Sequence, residues 1–123
     1  MHLDSYLCVL CVEHVEEDIL HLFFRCPFSQ ACWLFLGIDW DLTLDPYLMF
    51  LRAREAFNSV IFREVVIIAT WCIWCHRNDI IFYGSSLSFS SWRCAFLKEM
   101  NAVTLRVKPQ LKEKIVTWLN NLL

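Results

Sequence analysis

The sequence predicts a small all-α domain whose N-terminal arm is stapled by a Cys-Cys-His-Cys cluster. Three observations predict it. Apolar residues recur at three- and four-residue spacing through most of the chain, the period of one helix face. Only two glycines and three prolines punctuate 123 residues. And "CVLCVEHVEEDILHLFFRC", residues 8–26, holds three cysteines and two histidines. One domain is expected at this length, with residues 1–37 forming the arm and first helices and residues 38–123 the helical remainder.

Each element has its own warrant. Pro27 follows Cys26 at a favourable first helical position, and Phe28, Ala31, Cys32 and Phe35 then share a face of a helix that Gly37 closes. "DWDLTLD" reads as a connector. Asp45-Pro46 opens a short helix to about Arg52, with Asp45 as N-cap. From about residue 55 to 82 one long central helix is expected. Its buried stripe is Phe57, Val60, Ile61, Val65, Ile68, Trp71, Cys72 and Cys75. The β-branched centre, "VVIIAT", makes a strand the competing reading. "GSSLS" is a break. Two amphipathic helices follow, the first with Phe89, Trp92, Phe96, Met100, Val103 and Val107 in three-four alternation. The second starts at Pro109 and carries Leu111, Ile115, Trp118 and Leu122 at the same spacing.

Composition narrows the class. Hydrophobic residues make up 58% of the chain, which excludes disorder and leaves more apolar surface than a lone small domain needs. The net charge of -2 is unevenly spread. Residues 1–50 carry eight acids against Arg25, while Arg93, Lys98, Arg106, Lys108, Lys112 and Lys114 face only Glu99 and Glu113. The basic end suits phosphate contact, or simply a solvated helix face. "MHLDSYL" has no signal-peptide pattern, and the apolar run 65–75 is too short for a bilayer span. Seven cysteines without a secretory signal point to an intracellular, reducing compartment.

The arm reads as a metal site, set out as Cys8-x2-Cys11-x9-His21-x4-Cys26. A close C-x2-C pair presents two thiolates from one tight turn, and His21 and Cys26 lie about one helical turn plus a residue apart. Three thiolates and an imidazole make a closed tetrahedral structural site of the kind zinc prefers. Cys26 also precedes a helix start, where free N–H groups favour a thiolate. His14 is the rival imidazole, set among acids rather than in the apolar-flanked "ILHLFF". The alternative is that these cysteines are small buried hydrophobes.

A second C-x-x-C, Cys72 and Cys75 in "TWCIWCH", evokes thiol oxidoreductases. That chemistry needs a low-pKa thiolate at an exposed helix N-terminus within a βαβ unit, and no such pattern flanks it. On a helix, Trp71, Cys72 and Cys75 share the buried face instead. No nucleophile elbow, glycine-rich phosphate loop or H-E-x-x-H is present. His2 and His76 read as surface or core residues. The expectation is a protein without enzymatic activity or a small-molecule substrate.

"CVLC", Glu16-Glu17 and "HLFFRCPFSQACW" together resemble the zinc-binding domain of plant non-LTR (LINE-type) retrotransposon reverse-transcriptase proteins. Trp71, Trp74, Arg77 and Asn78 followed by "IIF" are similar to that family's W-x-I-W-x-x-R-N-x-x-I-F segment, and "SWRCAFLKEM" and "LRVKPQLKEKIVTWL" resemble its helical tails. The resemblance implies structural Zn2+ on Cys8, Cys11, His21 and Cys26. It also implies that both tryptophans pack inward and that Asn78 ends a helix. Family members carry a further half-domain upstream, so an N-terminally truncated module is expected, and no Y-x-D-D polymerase motif occurs. The expected function is a non-catalytic zinc-binding module contacting nucleic acid through Arg93, Arg106, Lys108, Lys112 and Lys114, or a partner protein. The alternative is a helical protein–protein interaction module that binds no nucleic acid.

Overall fold

The structure is a computed structural model that describes residues 7–11 and 16–122. Among the described residues it is all-α. A π-helical turn, His21–Arg25, leads into α1 (Pro27–Leu36), α2 (Pro46–Phe57), α3 (Phe62–Tyr83), α4 (Phe89–Val103) and α5 (Pro109–Leu122). The sole β-type pairing described is an isolated antiparallel bridge between Leu7 and Glu16. α3 packs most extensively on α4, α4 also meets α1 and α5, and α1 packs on the π-turn.

Local chemistry sets most of the boundaries. Pro27 and Pro46 each stand in the first turn of their helices, where a missing N–H costs nothing. The Asp45 carboxylate accepts from the Leu48 N–H at 3.2 Å, and the Ser88 hydroxyl accepts from the Ser91 N–H at 3.1 Å, as N-caps do. Gly37 and Gly84 end α1 and α3 at φ of 74° and 65°, the left-handed conformation that costs glycine least. "VVIIAT" is helical, so the strand reading does not hold.

Four expectations are corrected. The long helix expected over 55–82 is broken, because Asn58 takes φ 52°. Asparagine tolerates the left-handed region, so α2 runs on to Phe57 and α3 begins at Phe62. The buried face of α1 is Phe28, Ser29, Cys32, Trp33 and Leu36, with Ala31 exposed. In α3 the buried set is Phe62, Val65, Val66, Ala69, Cys72, Ile73 and His76, while Val60, Trp71 and Trp74 lie on the exposed side. Asn78 does not end the helix, which continues one turn further to Tyr83. The misplaced stripe in α3 has a plain cause. α3 is apolar on nearly every side, so its own pattern does not say which side α4 will cover.

The core is one continuous set of apolar residues from Cys8 to Leu119, threaded by aromatic contacts. Near the arm, Trp40 meets Phe24, Trp33 and Phe50 edge-on, with ring centroids at 5.1, 5.2 and 4.8 Å. Further along, Trp92 stacks on Phe96 at 5.4 Å, and Phe96 meets Trp118 at 6.1 Å. Phe57 bridges the two groups through Phe62 and Trp118. Such pairs each add about 1 kcal/mol beyond area burial. α3 is also long and apolar enough, by length and composition, to cross a membrane, with 33% of its most apolar window buried. The core helix of a helical bundle passes the same test.

Candidate metal centre

The arm brings its four ligand-type side chains together in three steps. Cys8 and Cys11 flank a turn at Val9-Leu10, and Leu10 is buried almost completely, pinning that turn to the core. The Leu7–Glu16 bridge closes the chain behind it. The third step is the π-turn. In a regular α-helix, residues five apart point about 140° away from each other. Here the Cys26 N–H donates to the His21 carbonyl at 2.7 Å, an i→i+5 bond that widens the turn and swings the two side chains toward a common point.

Polar bonds hold this unusual turn in place. The Asp18 carboxylate accepts from the His21 N–H at 2.7 Å. The Trp33 indole N–H donates to the Phe23 carbonyl at 2.6 Å, and the buried Ser29 hydroxyl donates to the Leu22 carbonyl. α1 thus supplies two donors to carbonyls that the π-turn leaves open.

The result is compact. One ligand atom from each of Cys8, Cys11, His21 and Cys26 lies within 4.8 Å of every other. The Cys8 and Cys26 sulfurs are 3.8 Å apart, and the Cys11 sulfur is 3.5 Å from His21 Nε2. An ion with tetrahedral zinc-type bond lengths sets sulfur–sulfur edges at about 3.8 Å and sulfur–nitrogen edges at about 3.6 Å. These two edges match such an ion, and the other pairs lie within 4.8 Å. Cys8, His21 and Cys26 are buried and Cys11 is half-buried. His14 and His2 lie outside the described residues.

Between Cys8 and Cys26 the electrostatics favour Cys26 as the thiolate. A hydrogen bond from the Cys8 thiol, helped by the Phe28 and Ser29 N–H groups, draws the Cys26 thiol down to about 6 against the opposing effect of burial. The same bond, with burial, pushes Cys8 up. One proton is thus shared between two sulfurs, and a bound cation would displace it.

An ion pair that sequence spacing alone does not reveal ties the arm to α3. Arg77 reaches Glu17, 60 residues away, with Nη2 at 2.6 Å from Oε1 and Nε at 2.9 and 3.0 Å from the two carboxylate oxygens. Both side chains are about 85% buried. Asn78 Oδ1 accepts from Arg77 Nη1 at 2.8 Å, and the guanidinium lies 4.8 Å over the Trp74 ring. Arg77 and Asn78 therefore act as a latch. In the sequence the two segments are linked only by the one resemblance that covers both.

The other candidates are placed differently. Cys72 and Cys75 sit in the middle of α3, away from any helix N-terminus. Burial pushes the Cys72 thiol up to about 12 and also raises Cys75, the opposite of what thiol–disulfide chemistry requires. Arg93 lies near the start of α4, and Arg106 and Lys108 follow its end, roughly 20 Å further along. Lys112 and Lys114 are exposed on α5, two residues and about 200° apart around its axis. Arg93 therefore stands about one helix length from Arg106 and Lys108.

No protein-family model matches the chain, and no curated protein or solved structure matches it either.

Proposed function

We propose that this chain is a non-catalytic, zinc-binding structural module of the kind found in plant LINE-type reverse-transcriptase proteins. The observation that carries the reading is the Cys8–Cys11–His21–Cys26 cluster, whose 3.8 Å sulfur–sulfur and 3.5 Å sulfur–nitrogen separations suit a closed tetrahedral site. Four protein donors leave no position for water, so the ion acts on folding rather than on a substrate. Zinc is the choice among metals because three thiolates and an imidazole match its softness and geometry. The retroelement reading is supported by the latch, since the two segments that resemble the family meet in the Glu17–Arg77 pair.

Metal analysis of the purified chain tests the reading. One zinc per chain is expected in the wild type and none in a Cys8→Ser/Cys11→Ser variant, whose helical content also falls. A wild type folded without bound metal sinks the proposal. Nucleic-acid contact through Arg93, Arg106, Lys108, Lys112 and Lys114 is proposed as a weak, backbone-directed activity. A salt titration with single-stranded RNA checks it, because phosphate contacts give an affinity that falls steeply with ionic strength.

A further inference from the structure

The four ligand-type side chains of the arm are not equally shielded. Cys8 is 4% exposed, His21 6% and Cys26 0%, whereas Cys11 is only half-buried, close to Val9, which is 36% exposed at the crown of the same turn. Cys11 is therefore the sulfur of the cluster that a small solute reaches first. As a ligand it stands as a thiolate, the nucleophilic form of the side chain. Sulfurs elsewhere lack one half of that combination. Cys32 and Cys72 are buried, burial raises the Cys75 thiol, and Cys94 is exposed on α4 but outside the cluster. Cys11 also has a second sulfur at hand. It and Cys8 flank a tight turn, which holds their Cα atoms within about 7 Å, near the span that a disulfide bridges. Their sulfurs lie within 4.8 Å of each other.

We infer that the arm is an oxidation switch, in which hydrogen peroxide enters at Cys11, joins it to Cys8 and releases the ion. This deepens the metal reading above and rests on it. The Cys11 thiolate attacks one peroxide oxygen. The S–O bond forms, the O–O bond breaks, and hydroxide leaves and is protonated to water. Cys11 has then given two electrons to the peroxide and is a sulfenic acid. The Cys8 thiolate displaces its hydroxyl, the S–S bond forms, and the departing hydroxide becomes a second water. The balance is two thiolates, one peroxide and two protons in, one disulfide and two waters out. His21 and Cys26 are left, and two donors do not make a closed tetrahedral site. His21 Nε2 loses the Cys11 sulfur now 3.5 Å away, and Cys26 loses the Cys8 sulfur now at 3.8 Å. The ties between the Val9-Leu10 turn and the head of α1 are then gone, and the arm opens.

Hydrogen peroxide added to the zinc-loaded full chain tests the inference, with a colorimetric chelator reading zinc release and peptide mass spectrometry locating the disulfide. Cleavage after Arg25 leaves Cys8 and Cys11 in one peptide and Cys26 in the next, so the pairing is read directly. The wild type is expected to release its zinc and to carry the disulfide within residues 1–25, both reversed by a dithiol and added zinc. Cys11→His keeps a ligand but offers no sulfur there, and its release is expected to fall to the rate seen without peroxide. Cys94→Ser is expected to behave as the wild type. Zinc retained by the wild type through excess peroxide overturns the inference alone, as does release with a disulfide to Cys26 or with no disulfide. So does release undiminished in Cys11→His or lost in Cys94→Ser. If Cys11→His does not load zinc, the disulfide mapping of the wild type decides by itself. A chain that holds no zinc before peroxide is added overturns the metal reading, and this inference with it.

Discussion

The arm and the α4–α5 end of the molecule reach order by different physics. Around the four ligand side chains the chain is short, irregular and held by polar bonds: Asp18 to His21, Trp33 to Phe23, Ser29 to Leu22 and Glu17 to Arg77. At the far end, Trp92, Phe96, Met100 and Ile115 are all fully or almost fully buried, and α4 and α5 need no staple. The contrast teaches where a cation matters. On the proposed reading, an irregular segment that buries Leu10, Leu22 and Phe24 beside its four ligand-type side chains would draw part of its order from an ion, while one with a full aromatic core would not.

The sharpest break of that comparison is removal of the ligands. In Cys8→Ser/Cys11→Ser the metal's contribution, on the order of 10 kcal/mol, is forfeited. Amide exchange should then become fast across residues 16–26 while α4 stays protected. Uniform loss of protection along the chain would refute the division. The converse change is Phe96→Ala, which empties a core site. It should lower global stability by about 3–5 kcal/mol with the metal content unchanged, as read by chemical denaturation and metal analysis.

The latch ties the arm to α3, on which α4 packs, so breaking it comes next in size. Arg77→Ala leaves a mostly buried carboxylate without its partner and should cost about 3 kcal/mol. A double-mutant cycle with Glu17→Gln should recover much of that cost, and simple additivity would show that the pair is not coupled.

The smallest effect concerns His76. It is buried, accepts from the Ser88 N–H at 3.1 Å and stacks on Phe28 at 5.3 Å between centroids. Burial lowers its pKa below 6.5, with Asp79 opposing. The unfolded chain therefore binds the proton first. Stability is intact above about pH 6.5 and declines as pH falls below it toward the folded value. His76→Gln keeps an acceptor for Ser88 without titrating, so its denaturation midpoint should fall less between neutral and mildly acid pH. Identical slopes in both proteins would remove His76 from the account.

What could be read from the sequence was whatever is encoded locally. Pro27, Gly37, Asp45-Pro46 and Gly84 each act through their own backbone geometry or cap, and the ligand spacing advertises itself within nineteen residues. What could not be read depends on partners distant along the chain. Trp71 and Trp74 carry the same spacing whether they face in or out, and only the placement of α4 decides between the two. The π-turn escaped because its widening is enforced by donors from Trp33 and Ser29, whose targets no periodicity reveals. The stop at Asn58 was missed because asparagine tolerates the left-handed region without demanding it.

Cys26 both completes the candidate metal cluster and stands as the residue from which α1 departs. Chelation would do more than empty a hole. It would loosen the first turn of α1, and with it the Ser29 and Trp33 bonds that keep His21 aimed. Ion escape and helix fraying would then be a single kinetic event, and the lifetime of the bound ion would be a measure of how firmly α1 is seated.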